Sequence, residues 1–95
     1  VILICDSGNN RIQIFDINGN YLFDWGKKGT KYADFNNPVS ISFNTEKNKL
    51  FILDSYNNKI QVFDLNLNFL YSFGEYGKKN YQFDNPIDFS IDKNN

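Results

Sequence analysis

Four aspartates, Asp6, Asp16, Asp54 and Asp64, are the first candidates for acid–base or metal chemistry in this chain. They come as two pairs at one spacing. Asp6 and Asp16 bracket the phrase DSGNNRIQIFD, and Asp54 and Asp64 bracket DSYNNKIQVFD. A catalytic carboxylate is needed once. A carboxylate written into each copy of a phrase serves the phrase, and aspartate commonly serves turns by accepting hydrogen bonds from nearby backbone amides. That turn or cap role is assigned to all four. The unrepeated acids Asp24, Asp34, Glu46, Glu75, Asp88 and Asp92 fall near turns and read as solvated side chains. There is no histidine, which removes the commonest general base and the commonest zinc ligand. No catalytic residue, metal site or cofactor is therefore expected in this segment. The single cysteine, Cys5, excludes an internal disulfide and aligns with Leu53, so it reads as a small buried hydrophobe.

A second group of residues suits binding rather than bond-making. The stretches GKKGTKYADFNNP (26–38) and GEYGKKNYQFDNP (74–86), together with the two DSxNN corners, collect Arg11, Lys27, Lys28, Lys31, Lys59, Lys78 and Lys79. Tyr32, Tyr76 and Tyr81 are interleaved with them. The acids on the same stretches are Asp6, Asp34, Asp54, Glu75 and Asp84, so cations outnumber carboxylates by a small margin. Basic residues with aromatics can pair phosphates and stack bases of single-stranded nucleic acid. The same composition also suits a solvated loop face or a protein-docking face. The net charge of −1 carries no general signal for polyanions, and DNA is not expected as a partner.

The elements that must position these residues follow from the repeat. Asp6 and Asp54 are 48 residues apart, and the same offset carries Gly26 to Gly74, Gly29 to Gly77, Phe35 to Phe83 and Asn37-Pro38 to Asn85-Pro86. Aligned without a gap, residues 1–47 and 49–95 share 19 identities. A period of 20–50 residues marks a solenoid, a propeller or another array. One unit, residues 38–85, contains four short apolar runs separated by NTEKN, SYNN and LNLN. The runs have strand length and are rich in aromatic and β-branched residues. Strands are expected near 2–5, 11–16, 21–25, 39–43, 50–54, 59–64, 69–73 and 87–91. Four short antiparallel strands per unit make a β-propeller blade, so the fold class is all-β. KLFILD is apolar on both faces, as a doubly covered strand requires. KIQVFD is mixed, with Gln61 and Phe63 sharing one face. Trp25 and Phe73 are expected to pack between blades. The DSxNN phrase is the corner between the second and third strands, with its Asn pair in left-handed positions; Tyr56 replaces Gly8, so glycine is not obligatory there.

D-S-x-N-N-[RK]-I-Q-[IV]-F-D followed by Gly-x-x-Gly and x-F-x-N-P resembles the NHL repeat. The matching residues are Asp6–Asp16, Gly26–Gly29 and Phe35–Pro38, then Asp54–Asp64, Gly74–Gly77 and Phe83–Pro86. The resemblance covers nearly the whole chain, although the unit is somewhat longer than the common NHL length. It implies a six-bladed propeller. Residues 1–37 would give three strands of one blade plus a connecting loop, 38–85 a complete repeat, and 86–95 the first strand of the next blade. The remaining blades would belong to the same chain. The resemblance also implies a non-catalytic interaction module, with a protein as partner on the loop face. The alternatives it brings are single-stranded RNA on that face, part of a metal-dependent hydrolase or lyase, or the substrate-recruiting domain of a ubiquitin ligase. No apolar run approaches the roughly 20 residues of a membrane span, so no membrane contact is expected from this segment; no targeting signal is visible in it, and the compartment stays open with a lean to the cytoplasm.

Overall fold

The structure is a computed structural model that describes residues 2–31, 34–44, 46–76 and 82–83. Each apolar run becomes a strand: β1 (Ile2–Asp6), β2 (Arg11–Phe15), β3 (Tyr21–Trp25), β4 (Pro38–Asn44), β5 (Lys49–Asp54), β6 (Lys59–Asp64) and β7 (Phe69–Phe73). They form a three-stranded sheet in the order β1-β2-β3 and a four-stranded sheet in the order β4-β5-β6-β7. All pairings in these two sheets are antiparallel between chain neighbours. The protein is thus all-β, with one complete blade-like meander and three strands of another. The strand expected at 87–91 lies outside the described residues. Two short strands were not anticipated: β8 (Glu75–Tyr76) pairs in parallel with β9 (Gln82–Phe83). Their counterpart in the first copy is a single parallel bridge between Lys28 and Phe35. Both ties fold the blade-joining stretch back on itself.

The two copies keep the same local devices. Asp16 Oδ1 accepts the backbone N–H groups of Asn18 and Asn20, both at 2.9 Å, and Asp64 does the same with Asn66 and Asn68. Each aspartate therefore closes the hairpin that follows it. The third turn residue needs a positive φ, which Gly19 adopts at 87° and Leu67 at 66°. A left-handed leucine costs roughly 1–2 kcal/mol; Leu67 is held there by packing against the core between the blades. At the DSxNN corners the chain makes one 3-10 turn, Ser7–Asn9 and Ser55–Asn57. Only the second asparagine of each pair is left-handed, Asn10 at φ 57° and Asn58 at φ 54°. The first belongs to the 3-10 turn, whose right-handed backbone suits any residue.

The core lies between the two sheets. Strand alternation puts Leu3, Cys5, Ile12 and Trp25 on one side of it, and Ile41, Leu50, Ile52 and Phe63 on the other. Ile12, Ile52 and Phe63 are completely buried. The Trp25 and Phe63 rings meet edge to face with centroids 4.5 Å apart, so Trp25 packs between blades as expected. Phe73, its counterpart, is 43 % exposed. The far face of β5 and β6 carries a second buried cluster, Leu53, Ile60 and Val62. The doubly covered character of KLFILD is therefore confirmed. The outer strands β3 and β7 are largely exposed.

Replacing Phe63 by alanine is expected to lower stability by about 3–5 kcal/mol, because it opens a cavity where Trp25, Phe35 and Phe69 converge on the ring. Ile17→Ala, at a position 83 % exposed, should stay within about 0.5 kcal/mol. Urea unfolding followed by circular dichroism compares the two.

Candidate functional site

Asp54 ends β5 and is completely buried. Its carboxylate accepts three hydrogen bonds: from the Asn36 backbone N–H at 2.7 Å, from Asn57 Nδ2 at 2.8 Å and from Gln61 Nε2 at 3.1 Å. Two of these donors also reach the loop that joins the blades. Asn57 Nδ2 donates to the Gly29 carbonyl at 2.7 Å, and Gln61 Nε2 donates to the Asp34 carbonyl at 2.6 Å. The Tyr56 backbone N–H donates to the Asn36 carbonyl, and Lys59 Nζ to the Thr30 carbonyl. From the other side, Ser7 Oγ donates to the Pro38 carbonyl at 2.7 Å, and the Asn37 N–H donates to Asn10 Oδ1 at 2.8 Å. The loop 26–37 is thus gripped by the corners of both blades. This explains why the phrase is repeated: its polar residues are a latch on the connecting loop.

The loop is also organised internally. The Phe35 N–H donates to the Lys27 carbonyl at 2.7 Å, and the Gly29 N–H to the Phe35 carbonyl at 3.0 Å. The Phe35 ring is completely buried and meets Trp25 edge to face at 5.4 Å. Gly29 is required sterically: a Cβ there would lie 2.8 Å from Asp34 Cγ and 2.9 Å from Asp34 Cβ.

The expected binding residues fall into three groups. Lys27, Lys28 and Lys31 stand exposed on the loop, and no ion pair among the described residues holds them. Arg11 is committed elsewhere, to Asp6 at 2.8 Å and Asp24 at 2.7 Å, and Lys59 is spent on the loop carbonyl. Tyr76 is described by its backbone alone, in β8, while Tyr32, Lys78, Lys79 and Tyr81 lie outside the described residues. Sequence reasoning missed Asn57 and Gln61 as latch residues. The signal was a glutamine kept in both copies within an otherwise apolar strand.

The carboxylates differ in their electrostatics. Burial pushes Asp54 above the ordinary carboxylate range, and its donors only partly counter that. Asp16 and Asp64 are held below the range, first by the backbone N–H groups of Asn20 and Asn68. Asp6 is lowered mainly by the Arg11 guanidinium. Cys5 packs against the core but is half-buried rather than fully buried as expected, and burial raises its thiol to about 11. Asp54 has its oxygens shared among N–H donors and presents no open face to a substrate.

Two outcomes follow. In an NMR titration of side-chain carboxyl carbons, Asp16 and Asp64 should titrate below the unfolded aspartate value of about 3.9, and Asp54 above it. The stability given by Asp16 and Asp64 is present above that unfolded value and is lost as pH falls through their folded values. The Asp54 contribution has the opposite sign and is lost as pH rises through its folded value. Separately, Gly29→Ala should cost about 1–3 kcal/mol by crowding, and Asp34→Gly should relieve most of that in the double variant. Additive losses in thermal melts would exclude the contact as the cause.

Comparison with known proteins agrees with this architecture. A search of curated proteins gave no match. The family model described as "6-bladed beta-propeller" matches residues 1–95, and the chain belongs to that family.

Proposed function

We propose that this protein is a non-catalytic interaction module of NHL-repeat type, and that a protein partner docks on the face formed by the blade-joining loops and the DSxNN corners. One observation supports the reading above others. The corners of both blades bond the loop at Gly29, Asp34, Asn37 and Pro38, while Lys27, Lys28 and Lys31 are exposed and form no ion pair among the described residues. A preordered loop loses less entropy on binding than a mobile one. The acids nearby offset its charge only in part: Asp54 is buried, Asp6 and Asp24 are taken by Arg11, and Asp34 on the loop itself stands against three lysines. The partner is therefore expected to be acidic where it meets the loop.

The exposed lysines also favour a second reading, phosphate contact with single-stranded RNA. A photo-crosslinking residue placed at Lys28 of the full-length protein, in its native cells, separates these. The same residue at Asn66, in the turn at the opposite end of the blade, is the control. A protein adduct obtained at position 28 and missing at position 66 is the expected result. Adducts shared by both positions would overturn docking on this face, and adducts shortened by ribonuclease would move the reading to RNA.

A further inference from the structure

The two corners can be compared for what the turn itself demands. Both make the same 3-10 turn, closed by the same backbone bond, Asn10 N–H to the Ser7 carbonyl at 3.2 Å and Asn58 N–H to the Ser55 carbonyl at 3.0 Å. The middle residue is Gly8 in one and Tyr56 in the other. A Cβ on Gly8 would touch nothing within 4 Å, so the turn asks for no side chain there. Tyr56 is nevertheless large and 57 % exposed. It sits beside the loop: its own N–H holds the Asn36 carbonyl, and the next residue, Asn57, holds the Gly29 carbonyl. An aromatic left more than half exposed at a turn position that glycine can fill, next to a loop that carries three exposed lysines, has the makeup of an interface anchor.

The charge around the two corners differs as well. At the first, two carboxylates, Asp6 and Asp24, share one guanidinium, Arg11. At the second, Asp54 is buried under the loop, Asp24 is replaced by Ser72, and Lys59 lies against Thr30. Among the described residues of this face, the exposed lysines therefore gather at the second corner and its loop, where Asp34 offsets one of them. A phosphodiester strand running toward the first corner would pass from this patch to two carboxylates that share a single guanidinium. A short peptide needs only that patch.

We propose that Tyr56 anchors the interface and that the ligand is a short acidic peptide segment, with carboxylates on Lys27, Lys28 and Lys31 and an aromatic side chain against the Tyr56 ring. The inference rests on the docking reading given above and names its partner class. Charged hydrogen bonds from ammonium to carboxylate would set position, and ring burial would supply most of the binding energy.

Fluorescence anisotropy of the full-length protein, with three labelled probes, tests this: a random glutamate–tyrosine copolymer, polyglutamate and oligouridylate. The copolymer should bind tightest. Tyr56→Gly restores the residue of the other corner and keeps the backbone bond to Asn36, so it should fold, with a melting temperature lowered only by the added backbone entropy and the lost partial burial of the ring. It should weaken copolymer binding by about tenfold or more and leave polyglutamate binding unchanged. Tyr56→Phe should retain the copolymer. The Lys27→Glu/Lys28→Glu pair should abolish binding of both acidic polymers. Equal copolymer affinity in parent and Tyr56→Gly overturns the anchor, even where the lysine pair is essential and the docking reading survives. Tighter binding of oligouridylate than of copolymer, or no copolymer binding at low salt, overturns the acidic-peptide assignment; the cross-link at Lys28 judges the docking reading independently.

Discussion

A carboxylate taken out of water must be compensated, and the burial of Asp54 is the constraint on which this face depends. The side chain is completely enclosed, and its compensation comes chiefly from three N–H donors, with a smaller contribution from the Lys59 ammonium. Hydrogen bonds to charged groups are each worth about 1.5–3 kcal/mol, and an orphaned buried charge costs more. The donors are therefore not optional. One is the backbone of the incoming loop at Asn36; the other two are side chains that grip the same loop at Gly29 and Asp34. Satisfying the carboxylate and docking the loop are one event.

The repeated phrase serves two neighbours at once. The first corner holds the end of the loop through Ser7 and Asn10, and the second holds its body through Asp54, Asn57 and Gln61. The same aspartate behaves differently where no loop covers it among the described residues. Asp6 keeps partial exposure and turns to Arg11 and Asn9. Context thus converts a surface ion pair into a buried latch without changing the residue. The apolar side of the same junction, Phe35 on Trp25 with Phe63 behind, closes the loop over the core.

The blade was legible in the sequence because its signals are local: alternation within runs, turn residues between them, and a 48-residue offset that makes two copies check each other. The seven main strands fall within two residues of their expected places for that reason. The latch was not legible. Gln61 reaches a carbonyl 27 residues away and Asn57 one 28 residues away, and no periodicity encodes such a pair. Gln61 read as a polar residue on a mixed strand, yet it is completely buried. The parallel pair β8–β9 escaped because two-residue strands have no pattern. Among the expected binding residues, Lys27, Lys28 and Lys31 were readable as exposed loop residues. The commitment of Arg11 to Asp6 and Asp24 needed the strand register, which sets Arg11 opposite Asp6.

Amide hydrogen exchange on the full-length protein tests the latch most directly. Tyr56 and Phe35 N–H groups are bonded to carbonyls of the loop, and Asn36 N–H to the Asp54 carboxylate. In the parent protein these amides should exchange slowly, close to those of β5 and β6. In Asp54→Ala they should lose protection together, with β5 and β6 still protected, because only the latch has been opened. Rapid exchange of the three amides in the parent, or protection of all three that survives Asp54→Ala, would contradict the account.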